Sequence, residues 1–193
     1  MLHTDRERER EMESKIEAAT GKLVVKKVGG KSTVTRCFSK YPLKFIIPNK
    51  VGSSETDAVW VYTLTYGGGI VSGDSISCEI TVADACTAVL TTQASTKVYK
   101  SLGSKSSEQI LEKQIFRVVL DSSLVIVDWI TSGRHESGEK WDFELYRSTN
   151  HIFLEGDQPL FLDSVLLEQG SITNIAERMQ DYQVIAMVIL LGG

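Results

Sequence analysis

The chain has 193 residues, a formal net charge of −4 and a pI near 5.5, enough for one domain with a real core and with Lys and Arg scattered among the acids rather than gathered in a stripe. That balance speaks against nucleic acid as a partner, and the most apolar stretch, Val184 to Leu191, falls far short of the ~20 residues that cross a bilayer as a helix. Cys37, Cys78 and Cys86 form an odd set without a Cys-x-x-Cys pair, which argues against a disulfide framework or closed zinc site and for a reducing, cytoplasmic setting.

Residues 1–20 form a charged N-terminal arm. In Arg6 to Glu11 opposite charges fall three apart and like charges four apart, so the two effects largely cancel, and few apolar residues are present to dock the segment. From Leu23 the pattern changes to short runs rich in β-branched and aromatic residues, punctuated by Gly, Ser, Asn and Asp. Leu23 to Val28, Thr33 to Phe38 and Phe45 to Ile47 are expected as strands. Val59 to Leu64 follows, more continuously apolar and therefore central.

Next comes Gly67-Gly68-Gly69-Ile70-Val71-Ser72-Gly73-Asp74, which predicts a tight corner between strands, with Asp74 placed to accept nearby amides or to face the space the corner encloses. Ile76, Cys78, Ile80 and Val82 alternate with polar residues and predict a strand with one apolar face. Thr91 to Tyr99 is a further strand, with Gln93, Thr96, Lys97 and Tyr99 giving it mixed polarity. Ile115 to Leu120 and Leu124 to Ile130 are expected in the centre. Trp141, Phe143 and Leu145 repeat the alternating device, and His151 is placed at a strand start as a surface or packing residue. Ile172, Ile175, Ala176 and Met179 stand at helical spacing and predict a helix over 172–179. Val184 to Leu191 is expected as a buried strand. The chain is therefore mainly β, in short strands that suit a sandwich, a barrel or a solenoid.

Several chemistries fail on spacing. Ser72 stands where a dinucleotide-binding loop needs its third glycine, and no Gly-Lys-Ser/Thr follows the corner. In His135-Glu136-Ser137-Gly138-Glu139 the second histidine of a zinc protease is replaced by Glu139, and Gly138 breaks the required helix. No Gly-x-Ser-x-Gly elbow is present. Two carboxylates among Asp74, Glu79, Asp84, Glu139, Asp142, Glu144, Glu155, Asp157 and Asp163 could form the acid/base pair of a carbohydrate-cleaving enzyme on a β-helix, which is the alternative reading. Oxygen ligands also hold a divalent metal more weakly than imidazole or thiolate, which suits a metal in transit. Asp74 and Glu139 are the candidate positions for its passage, beside the plainer reading that each accepts local amide bonds. Arg134 is a candidate for a bidentate pair with an interior carboxylate.

The Gly-Gly-Gly-x-x-x-Gly-Asp corner and the Thr-Gln-x-x-Thr-Lys-Val-Tyr strand resemble the urease accessory protein UreD (UreH) family, closest to its plant branch. Tyr41-Pro42-Leu43-Lys44, Gly133-Arg134 and Gly138-Glu139-x-Trp141-x-Phe143 follow in the family's order, so the resemblance runs from about Leu23 to Ile189. It implies Gly67, Gly68, Gly69, Gly73, Gln93, Thr96, Lys97, Tyr99, Gly133, Arg134, Gly138 and Trp141 as scaffold positions. It implies an irregular β-helix or solenoid-like stack of short strands with one or two helices, in a single domain over 21–193. No catalytic residues and no tightly bound cofactor are implied. The implied role is a scaffold that binds UreF, recruits the GTPase UreG and docks on apo-urease, offering nickel a transient interior path toward the urease active site. Against the family pattern, a β element is skipped between Glu112 and Lys113, and the C-terminal portion is shortened. Such losses are expected to leave strand edges unpaired and apolar surface open.

Overall fold

The computed structural model describes residues 20–49, 56–100, 109–119 and 121–192. The charged arm lies outside them apart from Thr20, as does Leu120. Thirteen strands form two mixed sheets among the described residues.

The first sheet runs β12-β11-β9-β6-β1-β2, with β1 Gly21–Val28, β2 Lys31–Ser39, β6 Ser75–Val82, β9 Gln109–Val118, β11 Leu145–Leu154 and β12 Gln158–Glu168. Its four inner strands are parallel, and the β1–β2 and β11–β12 hairpins close it antiparallel at both sides. In the second sheet β3 (Leu43–Ile46) is antiparallel to β4 (Val59–Thr65), which pairs parallel with β7 (Thr87–Thr91). There β5 (Gly69–Ile70) also pairs parallel with β8 (Thr96–Val98). β7 and β8 follow one another along one edge of β10 (Ser123–Ser132), and β13 (Val184–Leu191) takes its other edge antiparallel.

The chain repeatedly leaves one sheet for the other, so that sequence neighbours such as β6 and β7, or β9, β10 and β11, belong to opposite sheets. One hydrophobic core lies between them. Leu23, Val25, Ile80, Phe116 and Ile152 enter it from the first sheet, and Val61, Ile70, Leu90, Leu124 and Ile126 from the second. The strands form where alternation predicts them: in β6 Ile76, Cys78, Ile80 and Val82 are all buried and Ser75, Ser77, Glu79 and Thr81 are not. The strands expected in the centre, β4, β9 and β10, are each paired on both edges.

Several expectations need correction. A mainly β chain is observed, but a β-helix is not confirmed: the strands belong to two mixed sheets. The Glu112–Lys113 junction, where the resemblance implies a skipped element, lies within β9, which leaves that expectation untouched. Trp141 and Phe143 are buried but precede β11, which begins only at Leu145; the Trp141 indole N–H donates to the carbonyl of Tyr182 at 2.9 Å. His151 lies mid-strand in β11, edge-to-face with Phe153. The helix, α1, is only Ile175–Met179: Asn174 caps it, its side chain accepting from the Glu177 amide while Glu177 accepts from the Asn174 amide. Ile172 lies outside that cap and is 93% exposed. Val184 to Leu191 is a strand but not a buried one. β10 covers one of its edges, only Ile189 is buried, and Val184, Val188 and Leu190 stay exposed. None of the three cysteines is in a disulfide; Cys37 is exposed and the other two are buried.

Candidate functional site

Three motif segments lie side by side at one end of the second sheet. After β4 the backbone turns through Tyr66–Gly68, where Gly67 takes φ 77°, a conformation a side chain would strain. It then lays Gly69–Ile70 against Lys97–Val98, and β8 in turn lies against Ile130–Ser132 of β10, after which come Gly133 and Arg134. Tyr99 locks the three together. Its amide donates to the Ile70 carbonyl at 3.0 Å and its hydroxyl to the Gly67 carbonyl at 3.3 Å. Its ring fills the space that Cβ atoms on Gly69 and Gly133 would need, at 2.6 Å from each. A Cβ on Gly69 would also stand 2.4 Å from the Lys97 carbonyl oxygen.

Asp74 is buried and closes the corner on itself. Its Oδ2 accepts from the Val71 amide at 3.0 Å, and its own amide donates to the Val71 carbonyl at 3.0 Å. Glu139 is half-buried beside Gly133, its amide donating to the Arg134 carbonyl at 3.2 Å and its carbonyl accepting from the Ser132 hydroxyl at 2.7 Å. Gly138 adopts φ 80° and ends the His135–Ser137 turn by donating to the His135 carbonyl. Gly68 and Gly73 belong to the corner itself. The structure thus brings together Gly67, Gly69, Lys97, Tyr99, Gly133 and Glu139. Gln93 instead lies exposed in a bend before β8, and Trp141 belongs to an aromatic group with Phe143 and Tyr146. Arg134 is exposed, and among the described residues no carboxylate pairs with it. Thr96 is half-buried and pairs with Ile130. Among the described residues no three His, Cys, Asp or Glu side chains stand close enough to hold a metal ion.

A second polar group, between the sheets, was not among the sequence candidates. Val127 of β10 pairs with Thr91 and Ile130 with Thr96, so Thr92 to Ser95 make a detour opposite Asp128 and Trp129. Asp128 stands in phase with buried Leu124, Ile126 and Ile130 and points its carboxyl inward. Burial pushes the Asp128 pKa up to about 6, against a weaker opposing hydrogen bond from the Trp129 backbone, and its Oδ1 is buried without a partner. Across a cavity of about 30 Å³ stands Asn150 of β11, 2% exposed, with Ser148, Asp163 and Met187 also in the wall. The Asn150 amide nitrogen reaches Asp163 Oδ2 at 3.3 Å and Met187 Sδ at 3.1 Å, leaving its Oδ1 buried and partnerless. Asp128 also lines a cavity of about 20 Å³ on its other side, with Thr63, Thr65, Cys78 and Thr96. Each space holds about one water-sized occupant. The signal available in the sequence was a lone acid at an inward position of an apolar strand.

The family model described as UreD urease accessory protein matches residues 17–117 and 110–193. The chain belongs to the UreD family. It is 63% identical to urease accessory protein D of Arabidopsis thaliana over 200 residues, covering 90% of this chain and 68% of that protein. With urease accessory protein D of Oryza sativa subsp. japonica the identity is 56% over 208 residues, 94% of this chain and 67% of the relative. With UreD of the bacterium Anaeromyxobacter sp. it is 27% over 202 residues, 92% and 66%. The UreD-family chain thus spans about two thirds of the length of these relatives. Its family is one of accessory proteins rather than catalysts, and the carbohydrate-cleaving alternative is left without support.

Proposed function

We propose that this UreD-family chain acts in urease maturation as a scaffold that binds UreF and UreG and helps pass nickel to apo-urease. The observation that carries the metal-handling part is the interior pair of partnerless oxygens, Asp128 Oδ1 and Asn150 Oδ1, lining one small cavity with Asp163 beside them. Buried oxygens without partners cost free energy unless something visits them, and a divalent cation shedding part of its water fits both the charge and the size. Oxygen donors hold nickel weakly enough to release it, and Met187 adds one soft atom to the wall. Asp74, with one oxygen on the Val71 amide, and Glu139, beside the Tyr99 lock, serve as flanking positions on the same reading. Nickel is cargo here, held only in passing. The alternation of strands between two sheets with parallel neighbours supports the coiled-stack reading of the fold.

The test is reconstitution of apo-urease with UreF, UreG, nickel, bicarbonate and GTP, comparing this chain with its Asp128→Asn variant and with a longer plant relative. Activation by the native chain, and loss of activation by the variant while it still co-purifies with UreF, is the expected result. Full activation by Asp128→Asn would remove the interior oxygens from the path, and failure of the chain to co-purify with UreF would remove the scaffold role.

A further inference from the structure

The even scatter of Lys and Arg among the acids that whole-chain composition suggests does not hold along the chain. Between Thr20 and Ser54 the sequence carries Lys22, Lys26, Lys27, Lys31, Arg36, Lys40, Lys44 and Lys50 and no acid, although the whole chain is net negative. Lys26, Lys31, Arg36, Lys40 and Lys44 are exposed, beside exposed Phe38, Tyr41, Trp60 and Tyr66. They lie on β1 to β4 and the turns beside them, where β2 and β3 end the two sheets.

Among the described residues β2 pairs with β1 alone, so its outer edge is free. Its ends are tied to the other sheet: the Ser32 amide and hydroxyl donate to Asp57 at 2.6 and 2.8 Å, and the Ser39 hydroxyl accepts from the Phe45 amide at 3.4 Å. Between these ties the edge opens onto a cavity of about 500 Å³, walled among the described residues by Val34, Ile47, Pro48, Val59 and Trp60 with Ser32 and Thr33. The β1–β2 register, with Thr35 as an extra residue in β2, puts Ser32 and Val34 on one face with Val25, and Lys31, Thr33, Arg36 and Phe38 on the other with Lys22 and Val24.

We propose that the free edge of β2 takes up an extended segment of a partner protein in which acidic residues alternate with apolar ones. A strand added there makes main-chain hydrogen bonds to β2, sets one file of side chains against Val34, Ile47 and Trp60, and sets the other beside Lys31 and Arg36. Charge complementarity selects the acidic file, since no carboxylate of this stretch competes for those cations. The assignment goes beyond the metal-handling reading and does not depend on it.

The probe is an alternating Glu-Val peptide about eight residues long, titrated into the chain while the fluorescence of half-exposed Trp60 is followed. A saturable blue shift is expected. The Lys31→Glu/Arg36→Glu variant, checked for native circular dichroism, should bind at least about tenfold more weakly. A Lys-Val peptide, and a Glu-Val peptide N-methylated at alternate amides on its pairing edge, should not bind. Equal binding of the Lys-Val peptide, or binding that survives N-methylation, would overturn the proposal, the latter by reducing the surface to bulk charge attraction for any polyanion. Absence of a saturable shift up to about 1 mM would also overturn it, and would make the edge lysines guards against strand pairing. Should the double variant lose its fold, the two peptide controls decide alone.

Discussion

The ring of Tyr99 lies so close to Gly133 that a Cβ on the glycine would stand 2.6 Å from Cδ1 of the tyrosine and 3.1 Å from its Cα. The same ring meets Gly69 at its other side, where the backbone oxygen of Lys97 is nearer still. Gly133→Ala should therefore destabilise the chain by about 1–3 kcal/mol in urea unfolding. In a double-mutant cycle with Tyr99→Ala, the second change should recover part of the Gly133→Ala loss. It should recover little for Gly69→Ala, because a carbonyl fixed in the β5–β8 pairing cannot yield as a ring can. Equal recovery at both glycines would show that the tyrosine ring, not the strand backbone, sets the spacing.

Asp128 gives a pH signature of definite sign. Its folded pKa, about 6, is above the ordinary carboxylate value, so the folded state favours the protonated acid. The penalty for ionising it is absent at low pH, builds as pH rises above the unfolded value near 4, and is complete above about 6. Asp128→Asn should then gain stability relative to the native chain at pH 8, by about 2–3 kcal/mol, with the gain shrinking toward pH 4. Thermal melts of both proteins across that range measure it, and a difference independent of pH would place the carboxylate in water.

Glu79 titrates with the opposite sign. Burial raises its pKa, but hydrogen bonds from Arg117 Nε at 2.9 Å and Lys22 Nζ at 3.0 Å outweigh that and hold it below its usual value. The stabilisation is present above the unfolded pKa and disappears as pH falls through the lower folded one. Because all three side chains are partly exposed, Glu79→Gln should cost about 1 kcal/mol or less at pH 7 in low salt. Added salt or a pH below about 4 should erase the difference in urea midpoints.

The outer side of β13 predicts self-association. Val184, Val188 and Leu190 are exposed on a strand that carries no charge and no proline to discourage pairing. Val188→Lys should reduce the oligomeric fraction in sedimentation velocity while changing stability by no more than about 0.5 kcal/mol. An unchanged oligomer distribution would move the association elsewhere.

Local pattern carried much of this fold. The alternation of Ile76, Cys78, Ile80 and Val82 is a direct consequence of one face meeting the core, and the glycine corner is legible because Gly67 must hold a positive φ. What failed depended on distant neighbours. Val184 to Leu191 reads as buried from composition, yet burial of its outer side needs a covering element that composition cannot supply. Helical spacing carried the predicted helix back to Ile172, whereas the cap formed by Asn174 and Glu177 starts it later. Asp74 was anticipated as an acceptor of local amides and is one. Asp128 is illegible in the sequence because the apolar run around it reads as packing, and Asn150 because an amide becomes informative only when its partners are counted. The order of strands within each sheet is set by pairings between segments far apart in the chain, which no window of sequence contains.

The passage of the chain from sheet to sheet has a kinetic consequence. β1, β6, β9 and β11 are neighbours in space but arrive from four separate passes, each divided by strands of the opposite sheet. Both sheets draw strands from early and late parts of the chain, so a ribosome-bound chain that has emerged only as far as β8 holds unfinished edges of both. Such non-local pairing predicts late folding, with nascent strands that need to be kept apart until their partners emerge.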